Sequence, residues 1–159
     1  MNFFEHSCVI FLVKSLPTGR QAAQTGANKE KRRNVKKKII LVVDDDPAMV
    51  EVLKTRLEAN NYQVTTASDG MLALEEVRRN KPDLIISDVK MPNVDGYAFC
   101  RTLSAEKETK DIPVILLTSY REAQEIKKGM DLGAVSFVQK PYKSEVLLSI
   151  VQGVIRGRA

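Results

Sequence analysis

From Lys37 onward, short apolar runs alternate with longer stretches in which apolar residues recur every three or four positions. Ile39 to Val43 is an unbroken apolar run, followed by three aspartates and Pro47. A strand buried on both faces has that composition, and proline is accepted as the first residue of the next helix, where its missing N–H costs nothing. Val50, Leu53 and Leu57 fall at helical spacing, with Asn60 and Asn61 ending the stretch. Tyr62 to Ala67 alternates as a second strand. Ser68 or Asp69 then offers a cap for a second helix carrying Leu72, Ala73 and Val77 up to Asn80.

Pro82 separates that helix from a third strand, Leu84 to Ser87. A loop holding Met91, Pro92 and Gly96 leads to a third helix, roughly Tyr97 to Glu106, and Ile112 to Leu117 is a fourth buried strand. Arg121 to Leu132 reads as a weaker helix, because Gly129 costs about 1 kcal/mol against alanine in a helix interior. Gly133 ends it. Val135 to Val138 is a fifth strand, broken by Lys140 and Pro141. Ser144 to Ile155 is a fifth helix with Val146, Leu147, Ile150, Val151 and Val154 along one face. Five buried strands alternating with five amphipathic helices imply an α/β fold: a doubly wound, five-stranded parallel sheet covered on both faces, with right-handed crossovers. In such sheets a ligand site lies beyond the carboxyl ends of the strands, where strand order reverses.

The first 36 residues show no such period beyond a short apolar patch, Cys8 to Val13, and Pro17, Gly19 and Gly26 interrupt the stretch after it. The chain of 159 residues therefore divides into a flexible basic leader, 1–36, and one domain, 37–159. Charge divides with it. Met1 to Lys38 carries nine of the 25 Lys and Arg and two of the 20 acids, so the formal net charge of +5 belongs to this N-terminal stretch and the chain from Ile39 onward is slightly acidic. The apolar patch is far short of the roughly 20 residues that span a bilayer. Glu5 and His6 stand where a signal peptide carries basic residues, so no membrane association is expected and the cytoplasm is the expected compartment. Cys8 and Cys100 form no CxxC pair and read as free thiols, Cys100 as a small buried hydrophobe.

The strand ends carry the chemistry. Asp44 and Asp45 follow the first strand, Asp88 the third, Thr118 the fourth and Lys140 the fifth, which places all five at one rim. Three carboxylates brought together hold protons or bind a cation. A hard divalent ion suits oxygen ligands, and Mg²⁺ suits a site with few protein ligands and several waters. The Lys140 ammonium and the Thr118 hydroxyl facing a metal-bound carboxylate make a receptor for a dianionic oxygen group, with Asp88 free as nucleophile. Phosphoryl transfer to Asp88 is the reaction this grouping supports. Asp46, next to Pro47, reads as a helix-start charge rather than a ligand.

The chain resembles the response-regulator receiver domains of two-component signalling. The resemblance rests on Ile-Leu-Val-Val-Asp-Asp-Asp-Pro at 40 to 47, Asp-Leu-Ile-Ile-Ser-Asp-Val-Lys-Met-Pro-Asn-Val-Asp-Gly at 83 to 96, Val-Ile-Leu-Leu-Thr-Ser at 114 to 119 and Gly-Ala-Val-Ser-Phe-Val-Gln-Lys-Pro-Tyr at 133 to 142. It implies a flavodoxin-like sheet in order 2-1-3-4-5. It also implies Mg²⁺ held by Asp44, Asp45, Asp88 and the backbone carbonyl of Lys90, with an acyl phosphate forming on Asp88. Lys140 and Thr118 are implied to grip the phosphoryl oxygens, Phe137 to be the aromatic that moves inward with Thr118, and the Lys140–Pro141 bond to be cis. The donor is then a histidine kinase, a phosphotransfer protein or a small phosphodonor. His6 is the only histidine, so the phosphohistidine belongs to another protein.

The chain ends one helix after Lys140, so a stand-alone switch is expected, read by an effector protein at the face of the fourth helix, fifth strand and fifth helix, including Phe137 and Tyr142. It is expected not to be an enzyme beyond its own phosphorylation and dephosphorylation. Lys90 and Tyr120, two residues after Asp88 and Thr118, are large and are expected to shield the phosphate and lengthen its life. Rival chemistries lack their residues. A hydrolase with an aspartate nucleophile wants an acid where Lys90 stands, the phosphate-loop motif is missing, and Asp44, Asp46 and Ala48 do not continue a calcium loop. The alternative of another class is a DNA-associated regulator using the basic 29–38 segment; that run has no aromatic interleaving and reads as a solvated tail, so nucleic acid is not an expected partner.

Overall fold

The computed structural model describes residues 36–157. The leader, with His6, Cys8 and the basic run as far as residue 35, lies outside the described residues. The described chain runs β1 (Ile39–Val43), α1 (Pro47–Ala59), β2 (Gln63–Ala67), α2 (Gly70–Asn80), β3 (Leu84–Asp88), α3 (Gly96–Ala105), β4 (Val114–Thr118), α4 (Ala123–Asp131), β5 (Ser136–Gln139) and α5 (Ser144–Arg156). The strands form one parallel sheet in the order β2-β1-β3-β4-β5. The order implied by the resemblance is therefore the observed one.

The two faces of the sheet carry separate cores, as strand alternation demands. Leu41, Val43, Ile85, Val114 and Leu116 pack with Ala73, Val77, Phe99, Cys100 and Leu103 of α2 and α3. On the other face Ile40, Val42, Ile86, Ile115 and Leu117 pack with Leu53 and Leu57 of α1 and Leu147 and Val151 of α5. Two positions assigned to apolar helix faces lie outside these cores: Leu72 is 47% exposed and Val146 is 49% exposed. Each sits one place before a buried residue, Ala73 and Leu147, and one step around a helix is about 100°, so the buried stripe is narrower than the apolar residues suggest.

Local chemistry explains the element ends. Asp46, Asp69 and Asp95 cap α1, α2 and α3, their carboxylates accepting from the N–H of Ala48, Leu72 and Ala98. Asp46 is thus a helix cap, as its place before Pro47 suggests. At the end of α1, Asn61 adopts φ 68°, and the N–H groups of Asn61 and Tyr62 bond back to Glu58 and Leu57. That commits the Tyr62 N–H to the helix and delays β2 by one residue. The end of α4 repeats the device with Gly133 at φ 104°, the N–H groups of Gly133 and Ala134 reaching Met130 and Gly129. The fourth strand starts at Val114 rather than Ile112, because the Ile112 N–H closes a turn onto Thr109.

Candidate functional site

The order β2-β1-β3 means that the chain winds in opposite directions from β1 and from β3, and the site lies at that reversal. Asp44 follows β1 and Asp88 is the last residue of β3, opposite Leu117 of β4. The Val89 N–H bonds the Leu117 carbonyl at 2.9 Å and the Lys140 N–H bonds the Thr118 carbonyl at 2.7 Å, so the sheet ladder continues into the loops that carry these side chains. The Lys140–Pro141 peptide bond is cis. Gly96 packs directly on the strand end: a Cβ there would lie 2.4 Å from the Asp88 carbonyl oxygen. Only glycine fits.

One carboxylate oxygen from each of Asp44, Asp45 and Asp88 lies within 4.8 Å of the others. Asp44 and Asp88 are buried and Asp45 is exposed, so the cluster opens to solvent on one side. Asp44 uses Oδ1 to accept the Asp46 N–H at 2.9 Å, which orients its carboxylate. Lys140 Nζ stands 3.1 Å from Asp88 Oδ1 and 3.3 Å from Asp44 Oδ2. Burial pushes the Asp88 carboxyl above its ordinary range; Lys140 pulls it down, the Asp44 charge pushes it up, and the net shift is upward. Burial would lower Lys140, but the Asp44 and Asp88 carboxylates outweigh it and hold the ammonium protonated. The donor set is all oxygen, partly buried and short of positive charge. It fits a hard divalent cation.

Thr118 is buried at the end of β4, its Oγ1 accepting the Tyr120 N–H at 2.9 Å. Lys90 Nζ lies 4.5 Å from the centroid of the Tyr120 ring, so these two residues meet each other beside the acidic cluster. They share a cleft of about 560 Å³ with Asp45, Met91, Tyr97 and Lys128. Phe137 is partly buried against the α2/α3 core. Its ring occupies the space over Gly129 of α4, where a Cβ would come within 2.1 Å of Cζ. Tyr142 lies on the opposite side of Lys140, its hydroxyl 3.6 Å from Met49 Sδ of α1.

Asp44, Asp45, Asp88 and Lys140 are therefore brought together. Phe137 lies further along, against α4. Sequence reasoning missed two features, the Gly129 notch and the hydroxyl of Tyr97, which donates to the Glu125 carbonyl of α4 at 3.0 Å. The available signal was a glycine inside a helix followed by an aromatic strand residue, a pairing that suits close packing as well as it suits a weak helix.

Among the described residues no helix is long and apolar enough to cross a membrane. A crystal structure of the signal receiver domain of a signal transduction histidine kinase from Syntrophus aciditrophicus is 41% identical, with a TM-score of 0.71 over 76% of this chain and 91% of that one. The chemotaxis response regulator CheY4 of Vibrio cholerae is 31% identical, with a TM-score of 0.71 over 74% of this chain and 98% of that one. The response regulator MprA of Mycobacterium leprae is 40% identical over 117 residues, 74% of this chain and 50% of that protein. The chain spans half or less of the length of the curated relatives it matches. The family model for the response regulator receiver domain matches residues 40–152, and the chain belongs to that family.

Proposed function

We propose that the protein is a cytoplasmic response regulator that accepts a phosphoryl group on Asp88 and passes the signal on by a change of surface. The observation that carries this reading is the pairing of Asp88 with Lys140 at 3.1 Å inside a three-carboxylate cluster. The donor is a phosphohistidine on a histidine kinase or phosphotransfer protein, or a small acyl phosphate. A carboxylate oxygen of Asp88 bonds to phosphorus as the bond to the leaving nitrogen or oxygen breaks, and the electron pair departs with the leaving group. Lys140 and the Thr118 hydroxyl receive the phosphoryl oxygens. Asp44, Asp45, Asp88 and the Lys90 carbonyl would hold Mg²⁺, which when bound offsets negative charge on the carboxylates and the phosphoryl group.

Beyond its own phosphorylation and dephosphorylation the chain is not an enzyme. Thr118 and Phe137 form the switch, and the face of α4, β5 and α5 meets an effector protein. Lys90 and Tyr120, packed on each other in the cleft they share with Asp45, slow the approach of water to the acyl phosphate.

The test is incubation of the purified chain with acetyl phosphate and Mg²⁺, followed by intact mass. The expected result is a gain of one phosphoryl group that disappears in Asp88→Asn and with a chelator. A gain that persists in Asp88→Asn moves the acceptor elsewhere and ends the reading.

A further inference from the structure

Helix α4 is held differently from the other four helices. The N-terminal ends of α1, α2 and α3 have aspartate caps, and α5 buries Leu147 and Val151. At α4 the capping position, Glu122, makes no side-chain cap bond, its carboxylate accepting the Arg121 N–H instead, and the one buried residue is Gly129. A buried glycine removes no side chain from water, so the hydrophobic effect acts weakly through the helix's own core-facing residue. The attachment comes from outside. Tyr97 of α3, 6% exposed, donates its hydroxyl to the Glu125 carbonyl at 3.0 Å. Its ring centroid is 4.7 Å from Lys128 Nζ, and its Cε1 is 3.0 Å from the place a Gly129 Cβ would take. One side chain thus contacts three successive parts of α4.

The same residue is tied to the acceptor strand. Tyr97 follows Gly96, whose N–H bonds the Val89 carbonyl at 2.9 Å and whose Cα packs on the Asp88 carbonyl. A shift of the β3–α3 loop therefore carries the Tyr97 backbone with it. The three contacts on α4 are directional or short-ranged, so a small displacement weakens all of them together.

We propose that Tyr97 is a positioning residue, a clasp that holds α4 against α3 while Asp88 is unmodified and lets go when the β3–α3 loop moves. The coupling to Asp88 rests on the phosphoacceptor reading; the clasp itself does not. It is a second link between the acceptor and the α4–β5 surface, separate from Thr118 and Phe137.

Amide hydrogen exchange on the full chain tests it. Without ligand, Tyr97→Phe keeps the ring and loses the hydrogen bond, and the amides of Ile126 to Leu132 should exchange about 2- to 10-fold faster, the worth of one such bond. Tyr97→Leu should exceed that, and the amides of α1 and α5 should be unchanged in both. Equal α4 exchange in wild type and both variants overturns the clasp, as does acceleration spread evenly over α1, α4 and α5, which marks global destabilisation. Adding Mg²⁺ and beryllofluoride, a tetrahedral phosphoryl mimic, should raise wild-type α4 exchange toward the Tyr97→Phe level. Unaltered α4 exchange with the adduct present on Asp88 by fluorine NMR overturns the coupling. Absence of any adduct overturns the acceptor reading and the coupling together, and the ligand-free comparison still decides the clasp.

Discussion

Lys140 Nζ lies 3.1 Å from Asp88 Oδ1 and does not neutralise it, because the same ammonium is shared with Asp44 at 3.3 Å. One cation faces three carboxylates. Burial then raises the Asp88 carboxyl despite the ion pair. An acid whose folded pKa stands above its unfolded value of 3.8 binds its proton more tightly when folded. Its contribution to stability is fully present below the unfolded pKa and is lost as pH rises through the folded one. At neutral pH, ionised Asp88 is a cost.

Asp88→Asn removes that cost and leaves Lys140 its Asp44 partner. The variant should be more stable than wild type at pH 7 by about 1 kcal/mol, a rise of roughly 3–6 °C in the unfolding midpoint. The gap should narrow as pH is lowered toward the unfolded value of 3.8. Thermal unfolding at pH 7 and at about pH 4.5, within the usual carboxylate range, measures both. A variant less stable than wild type at pH 7 contradicts the charge balance described for the site.

Divalent cations relieve the same repulsion by another route. Mg²⁺ at about five times its dissociation constant should stabilise the wild type by about 1 kcal/mol through mass action alone. Asp45→Asn removes an exposed member of the cluster and should abolish most of that increment while leaving the metal-free midpoint nearly unchanged. A midpoint equally sensitive to Mg²⁺ in both proteins would place the cation elsewhere.

Lys90 and Tyr120 bear on how long the acyl phosphate lasts. Each holds the other in the cleft that Asp45 also lines, the ammonium 4.5 Å from the ring centroid. Lys90→Ala and Tyr120→Ala should each speed loss of the phosphoryl group several-fold. The double variant should decay little faster than the faster single one, since either truncation frees the remaining partner. Decay no slower in wild type than in the double variant removes the shielding role.

Sequence distance separates the features that were legible from those that were not. Asp44, Asp88, Thr118 and Lys140 could be placed because each terminates a strand, and the strand pattern alone brings strand ends to one rim. Asp46 was legible as a cap because capping is settled within three residues. Tyr97 was not, since its hydroxyl bonds a carbonyl 28 residues away on a helix that only the folded sheet brings alongside. Gly129 was read by helix propensity alone, which carries no information about the Phe137 ring opposite. Leu72 and Val146 looked like core because apolar type was legible, whereas the width of the buried stripe depends on the neighbouring element.

Thr65 tests the interior of the fold away from the site. Its Oγ1 is the one buried side-chain polar atom without a hydrogen-bond partner among the described residues. Thr65 lies opposite Leu41 in the sheet and shares its face with the α2/α3 core. An unmet buried hydroxyl is destabilising, and valine has the same shape with a methyl in its place. Thr65→Val should raise stability by about 1 kcal/mol, with no change in phosphoryl uptake. A fall in the chemical-denaturation midpoint would mean that the hydroxyl is satisfied in solution.

Gly129→Ala sets two physical effects against each other, and the sign of the result separates them. Helix propensity favours alanine by about 1 kcal/mol at an interior position. Against it, the added Cβ would sit 2.1 Å from Phe137 Cζ, a distance no packed pair sustains, and 3.0 Å from Tyr97 Cε1, tighter than ordinary packing. Relief requires the Phe137 ring to leave the notch or α4 to move outward, and overpacking of this kind costs about 1–3 kcal/mol. The larger effect should win, so Gly129→Ala should destabilise the domain despite improving the helix. Phe137→Leu in the same chain withdraws the ring edge and should return part of the loss, whereas two independent sites would add their costs. If Gly129→Ala instead stabilises by the full propensity increment, the ring does not rest in the notch, and Phe137 must be sought in another rotamer.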